Sequence, residues 1–544
     1  MQTFLSAFRD RSDIEELKSK LLNKKGLYEI TGCIDNAKSH LIHSIGYEAP
    51  MRLVVSESEQ RSRELLEEYR FFDPGAVYFP AKDLLFYQSN IHGNAIERER
   101  IAALCAICDK SAKTIFTTVD VLLNRLPDPD GFTSHIIYIS EGDEIDSEEL
   151  RKKLIALGYE SRATVDAPGL FAIRGGIIDI WSQDADSPFR IELWDTEVDS
   201  IRIFDGATQK SVDNVKNVRV VPARELWLSD DIIETGLRRM RDDMDNLYEK
   251  YRKDMKTEAA YRLKSSYEEL AESIREGWGI SEAENHLPYF CDEVCGLLDY
   301  LEKGTFVYLD EPGHLSSAAH LIEEEFKESM IHRGELGEVF PEDTHMMLPA
   351  DATILRAASG ACICLSMLDI KNGIKKAEGQ LHMEVSSVIS CNNHFEELLR
   401  ELKSYHTKKY RVVVISPSRT RAKRLADDIL NEGINAFYSE NYDEELFPGQ
   451  ILVTRGSIRR GFEYRDCRFA VICESDIFGG IKKEKRKKRH KGADHIASLD
   501  DLTVGDYVIH ENYGLGIYQG MEKMEVDHVM KDYIKISYAG SSNL

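Results

Sequence analysis

Twice along this chain, short β-branched runs alternate with helical segments, and that alternation leaves few folds open. In residues 1–145 the runs LYEIT, MRLVVS, VYFP, TIFTT and HIIYIS read as strands, with helical patterns between them. Strands separated by helices need crossover connections, which lay the strands parallel in one sheet and cover both of its faces. The pattern returns at 385–480. There YRVVVISPS is a strand, RTRAKRLADDILNEGI a helix closing at Gly433, and ILVTRGS and FAVICESD are buried strands. The chain therefore reads as an α/β multidomain protein.

The residues between and after these units follow other rules. At 146–225, FAIRGGIIDIW, FRIELW and VDSIRIFD are strands joined by turns, with little helix between them. This is a β-rich module inserted in the first unit. Residues 226–375 open with a charged stretch at 230–276, expected as a long amphipathic helix or helix pair lying across domains. Weaker strands (TFVYLDEP, ACICLSML) follow it. Residues 481–499 form a basic linker, in which KKEKRKKRHK holds eight Lys or Arg among ten residues. Such a run is a solvated tether or a weak phosphate contact. The last module, 500–544, has the short strands and glycine turns of a small β-barrel, expected to stop before its closing strand.

Charge and cysteine usage narrow the function classes. The net charge is −25, from 70 basic and 95 acidic residues. Such a balance repels nucleic acid globally, so any DNA contact needs a local basic patch or a part outside this chain. No run approaches the roughly 18 apolar residues of a membrane span, and the start MQTFLSAFRDRSD lacks an apolar signal core. A cytoplasmic protein is expected. Most of the ten cysteines sit in apolar runs, as buried thiols do in a reducing compartment. Cys105 and Cys108 form a CxxC pair, but no second pair of ligands follows it, and no metal site is expected.

Three constellations carry chemistry. Gly32-Cys-Ile-Asp-Asn-Ala-Lys38-Ser39 follows a strand and opens a helix, where a phosphate-binding loop sits. Its second glycine is replaced by Ala37, which crowds the curl of N–H groups around phosphate. Asp310-Glu311 after FVYL is the candidate magnesium partner. The loop is either a relic or a live nucleotide site. Arg455, Arg459 and Arg460 in TRGSIRRG stand where arginine fingers would fall, and fingers act only on phosphate held by a facing lobe. Arg174, Arg190 and Trp194 are placed on neighbouring strands of the β-rich insert, where alternation can bring them to one exposed face. Two arginines beside an indole make a protein-binding hot spot or a merely solvated sheet face.

Taken in order, these segments resemble a known family. PGLFAIRGGIIDIW (168–181), FRIELWDTEVDSIRIFD (189–205) and VVPARE (220–225) are similar to the UvrB-homology region of the bacterial transcription-repair coupling factors (Mfd). YFPAKDLLFYQSN with Arg98, Glu99 and Arg100 fits the same region. ILVTRGSIRRGFEYRDCRFAVICESDIFG resembles a RecA-like third domain. VGDYVIHENYGLGIYQG resembles the Tudor-like, CarD-type module that binds RNA polymerase.

The resemblance implies helicase-like lobes (1–145, with the helical segment and a domain 1b at 226–375, and 385–480), a UvrA-binding insert and a polymerase-binding barrel. It implies UvrA contacts at Arg174, Arg190 and Trp194, and polymerase β-subunit contacts on an edge strand at Ile517–Met524. It implies a nucleotide loop (Gly32, Lys38, Ser39, Asp310) that has decayed. The ATP- and Mg²⁺-dependent translocase that acts on double-stranded DNA would lie in a part not present here, leaving this chain catalytically silent. The competing reading is a self-contained UvrB-like NTPase. It would need Lys38, Asp310 and Arg459 around one nucleotide, and a tyrosine-rich DNA-clamping hairpin that the sequence does not display.

Overall fold

The computed structural model describes residues 1–82, 94–276, 279–291, 293, 295–369, 372–389, 394–478, 507–510, 514–526 and 529–537. The first lobe opens with strands β1 (Gly26–Thr31), β2 (Arg52–Ser56), β3 (Val77–Tyr78) and β4 (Thr114–Thr118). β2 and β4 are buried at every position, as strands covered on both faces must be.

The run HIIYIS does not join them. Its strand β5 (Ile137–Ser140) pairs antiparallel with β12 (Asn217–Val220), so the insert starts near 137 rather than 146. In that position Tyr138 is 68% exposed, as it could not be between two helical layers. Between these two lie β6 (Glu160–Ser161), β7 (Leu170–Arg174), β8 (Ile177–Ile180), β9 (Phe189–Trp194), β10 (Glu197–Phe204) and β11 (Ser211–Val215), in the spatial order β11-β10-β9-β8-β7-β6. One face of this sheet buries Phe171, Ile178, Ile191 and Ile201 against Leu150 and Leu154 of the helix Ser147–Ala156.

The charged stretch forms two helices, Asp230–Lys253 and Thr257–Arg275. Their apolar stripes (Leu237, Met240, Leu263, Leu270) meet Phe326 of the helix Pro312–Leu336. The chain then returns to the first sheet. β13 (Phe306–Asp310) and β14 (Ala361–Leu365) slot between β2 and β1, and β15 (Gly379–His382) adds an edge. The order β15-β1-β14-β13-β2-β4-β3 is parallel at each pairing. Residues far apart in the chain thus complete one lobe.

The second lobe contains β16 (Val385–Ser387), β17 (Arg411–Ser416), β18 (Ala436–Tyr438), β19 (Ile451–Arg455), β20 (Phe462–Tyr464) and β21 (Phe469–Cys473). β17, β18, β19 and β21 run parallel, and β20 returns antiparallel to β16 and β21. The helix Arg419–Asn431 follows β17, as the sequence predicts. Finally β22 (Tyr507–His510), β23 (Gly514–Val526) and β24 (Val529–Ser537) form an antiparallel sheet with β23 in the middle. The basic run 482–491 lies outside the described residues.

The two lobes share one core. Phe4 and Phe8, from the first residues of the chain, are buried with Phe72 of the first lobe and Phe462, Tyr464 and Phe469 of the second. His40 sits at the centre. Its Nδ1 is 3.0 Å from Tyr464 Oη and its Nε2 is 3.1 Å from Phe4 O. Arg411 of β17 donates to Ser6 O at 2.6 Å.

Burial pushes the His40 imidazole down to about 4, and the nearby His43 to about 3. The unfolded chain takes up a proton near 6.5 that the folded interface refuses until about 4. Stability is therefore whole above the unfolded value and is lost as pH falls through that window. His40 alone should cost about 3 kcal/mol by the bottom of the window. Urea unfolding midpoints measured from neutral to acidic pH check this; a flat profile would contradict it.

Candidate interaction surface and the remnant phosphate loop

The loop at 32–39 has the shape of a phosphate cradle and the chemistry of a closed salt-bridge cluster. β1 ends at Thr31, and the helix Asp35–Ile45 starts four residues later. Gly32 has φ +76, and a Cβ there would lie 2.2 Å from Met383 O. The glycine is thus required by packed backbone. Lys38 is fully buried. Its ammonium is 2.6 Å from Asp310, 2.7 Å from Glu311 and 3.2 Å from Asp35. Arg61 adds bonds of 2.7 Å to Asp310 and 2.6 Å to Asp35.

Burial works against a charge on Lys38, but the two carboxylates beside it outweigh burial and raise its pKa. Asp310 is held low: burial opposes this, and Lys38 and Arg61 overcome it. Glu311 adopts φ 53, a left-handed conformation held by its bonds to Lys38 and to Met367 N. Ser39 is buried, and its hydroxyl has no hydrogen-bond partner among the described residues.

A cavity of about 380 Å³ beside the cluster is lined by Asp35, Glu57, Asp310 and Glu311, with Arg61 and His314. These residues do not fit ATP and Mg²⁺. The lysine that would hold phosphate and the acids that would hold the ion already neutralise one another, and an incoming phosphate would meet four carboxylates. Of the second lobe's candidate fingers, Arg459 pairs with Glu64 of the first lobe at 3.0 Å. Cys105 and Cys108 lie on the helix Asn94–Cys108, their thiols pushed up by burial to about 12 and about 11.

The insert is organised differently. Arg174 and Arg190 are not on neighbouring strands, as the sequence reading placed them, because β8 runs between β7 and β9. What joins them is Asp179 on β8, a carboxylate with no exposed surface. Register pairs Asp179 with both Ala172 and Arg190, so Arg174, Ile177, Asp179, Arg190, Glu192 and Trp194 share one face. Arg190 grips Asp179 with two bonds, 2.7 and 2.9 Å, and its guanidinium lies 4.6 Å from the Phe204 ring centroid. Arg174 donates to the same carboxylate and stays 47% exposed.

Trp194 ends β9 at a hairpin tip and is 81% exposed, an unusual position for an indole. The neighbouring tip needs Gly176, since a Cβ there would lie 2.9 Å from Leu193 O. Sequence reading missed Asp179. Its signal was a single carboxylate in the otherwise apolar run IIDI, between two strands that each carry an arginine.

In the last module Ile517 is bracketed by Tyr507 of β22 and Ser537 of β24, so it lies on the middle strand. It is not an edge position, as had been expected. Among the described residues β22 pairs with β23 from Gly514 to Ile517, and Met524 lies beyond it, paired to Lys531 of β24.

Two helicase-like lobes carry a phosphate loop closed by ion pairs, and the insert within the first lobe presents an arginine–tryptophan face. Residues 137–226 match the family described as the UvrB interaction domain, and residues 502–544 match the CarD-like/TRCF RID domain. The transcription-repair-coupling factor of Bacillus subtilis (strain 168) is 26% identical over 560 aligned residues, covering 100% of this chain and 46% of the relative. That of Staphylococcus epidermidis is 27% identical over 520 residues, covering 95% and 44%. The chain is thus similar to transcription-repair-coupling factors along nearly all of its length and spans about half the length of the curated relatives it matches.

Three substitutions separate the load on these residues. Asp179→Ala leaves Arg190 without its carboxylate and should cost about 3 kcal/mol, and Lys38→Ala should cost a similar amount by stranding Asp310. Trp194→Ala should stay within about 0.5 kcal/mol, because the ring is exposed. Chemical denaturation of the three variants checks the ranking.

Proposed function

We propose that this chain is the recruiting portion of a transcription-repair coupling factor, acting in the cytoplasm to link stalled RNA polymerase to nucleotide excision repair. In this reading the β-rich insert binds UvrA and the module at 502–544 binds the polymerase β subunit. ATP-driven movement along double-stranded DNA belongs to a part of the protein outside this sequence. One observation carries the proposal. Within the segment matching the UvrB interaction domain, a buried Asp179 fixes Arg174 and Arg190 beside an indole held out in water. Fixing both guanidinium groups before a partner arrives lowers the ordering cost of binding, and an exposed tryptophan beside them is the usual composition of a hot spot. For the polymerase contact, the stretch of β23 around Met524 offers backbone to which a partner strand can add, with Ile517 at its base.

The test is direct binding of purified UvrA to the whole chain. Trp194→Ala should weaken it about 30-fold, close to the ~2 kcal/mol of a hot spot, with no change in folding. The double variant Arg174→Ala/Arg190→Ala should bind less still. Parental affinity in a folded Trp194→Ala chain would reject the assigned face. For the polymerase β subunit, Met524→Glu should reduce capture at least ~10-fold while UvrA binding stays at the parental level.

A further inference from the structure

The arginines that stood as candidate fingers are left without a task by the clusters above, and they lie on a face whose charge runs against the rest of the chain. Segments 416–424 (SPSRTRAKR) and 454–461 (TRGSIRRG) contain seven Arg or Lys and no Asp or Glu, in a chain of net charge −25. The fold lays them side by side. β17 and β19 are adjacent and parallel, Ser416 is in register with Arg455, and Gly456 N donates to Ser416 O at 2.9 Å. Both segments leave the sheet at the carboxyl ends of their strands.

The basic side chains are all exposed, as are the hydroxyl residues Thr420 and Ser457 between them. Some are held in place by acids contributed from elsewhere. Arg419 makes two bonds of 2.6 Å to Glu440, Arg421 one of 2.5 Å to Glu474, and Arg459 one of 3.0 Å to Glu64. Arg421 keeps 69% of its side chain in water and Arg424, 3.9 Å from Asp428, keeps 85%. Arg455 and Arg460 are exposed on the loop after β19.

We propose that this face of the second lobe binds the phosphate backbone of duplex nucleic acid. The cations are spread over two segments rather than gathered round a hollow. A row of separated charges with hydroxyl groups between them suits successive phosphates better than a single small anion. Apart from this face and the basic run 482–491 the acidic chain repels a polyanion, so contact here would be weak and steeply salt-dependent. Such a contact would orient the scaffold on DNA without reading sequence. It lies beyond the recruiting role, which assigns DNA to a different part of the protein.

The basic run 482–491 would bind DNA by itself, so the test uses the whole chain with the Lys and Arg of that run changed to Ser. Binding of a labelled duplex of about 30 bp is followed by fluorescence anisotropy between about 50 and 200 mM salt. Arg424→Ala/Arg455→Ala/Arg460→Ala should weaken binding at least ~10-fold at low salt and flatten the salt slope by about 2–3. The triple Arg→Lys variant should retain most of the affinity, since a phosphate contact needs charge rather than a planar fork. Parental DNA affinity in the triple alanine variant would overturn the proposal. So would equal loss in the lysine variant, or DNA binding that vanishes when the 482–491 run alone is neutralised. Unchanged DNA binding with reduced capture of UvrA or polymerase would assign the face to an acidic protein surface and overturn it as well.

Discussion

Lys38 and the three carboxylates around it set the terms for the rest of the molecule. A lysine at the start of a helix after a parallel strand is normally held ready for phosphate. Here Asp310 and Glu311 close on it from β13, Asp35 from its own helix, and Arg61 bridges back to two of them. Inside a protein such a cluster is stable only when complete, because any member left alone is a buried charge. The consequence is a sheet whose strand ends are tied together by internal ion pairs, in the place where a motor keeps its ligand.

The same trade of movement for fixity recurs between the lobes. Motors of this architecture open and close around nucleotide. Here the first residues of the chain thread Phe4 and Phe8 into a core shared by both lobes, and a neutral His40 bonds across it. Arg459, in place of meeting a phosphate, reaches Glu64. The packing makes the pair of lobes one platform, and it presents the insert from a steady base. Buried pairs at the insert's root, Arg100 with Glu225 and Arg224 with Glu97, extend that rigidity to the module itself.

On the insert, charge burial is used for presentation. Asp179 has no exposure, yet the groups it holds reach the surface. An arginine on a bare sheet would sample many rotamers. Two arginines sharing one buried carboxylate are ordered in advance, and the hairpin tip beside them puts Trp194 within the same face.

Much of this was written in the sequence. Strand and helix periods fixed the two α/β units, because burial on both faces demands unbroken apolar runs such as RVVVIS. Alternation in FRIELW was enough to bring Arg190 and Trp194 to one face, since a pleated strand has a period of two; that Arg174 shares it was decided by the register of β7, β8 and β9. Ala37 marked the phosphate loop as altered. What the sequence left undetermined was long-range pairing. That 306–310 and 361–365 lie between β1 and β2, that HIIYIS leaves the first sheet, that Ile517 sits mid-sheet, and that β8 separates the two arginines are all matters of which strand finds which. Two of the acids that neutralise Lys38, Asp310 and Glu311, come from about 270 residues away; the sequence marked them as a magnesium partner of the loop, and only the fold closed them on the lysine itself. Local periodicity and side-chain chemistry determined the pieces and their faces; only the folded chain, by closing contacts between distant segments, decided which charges would cancel and which would remain for a partner.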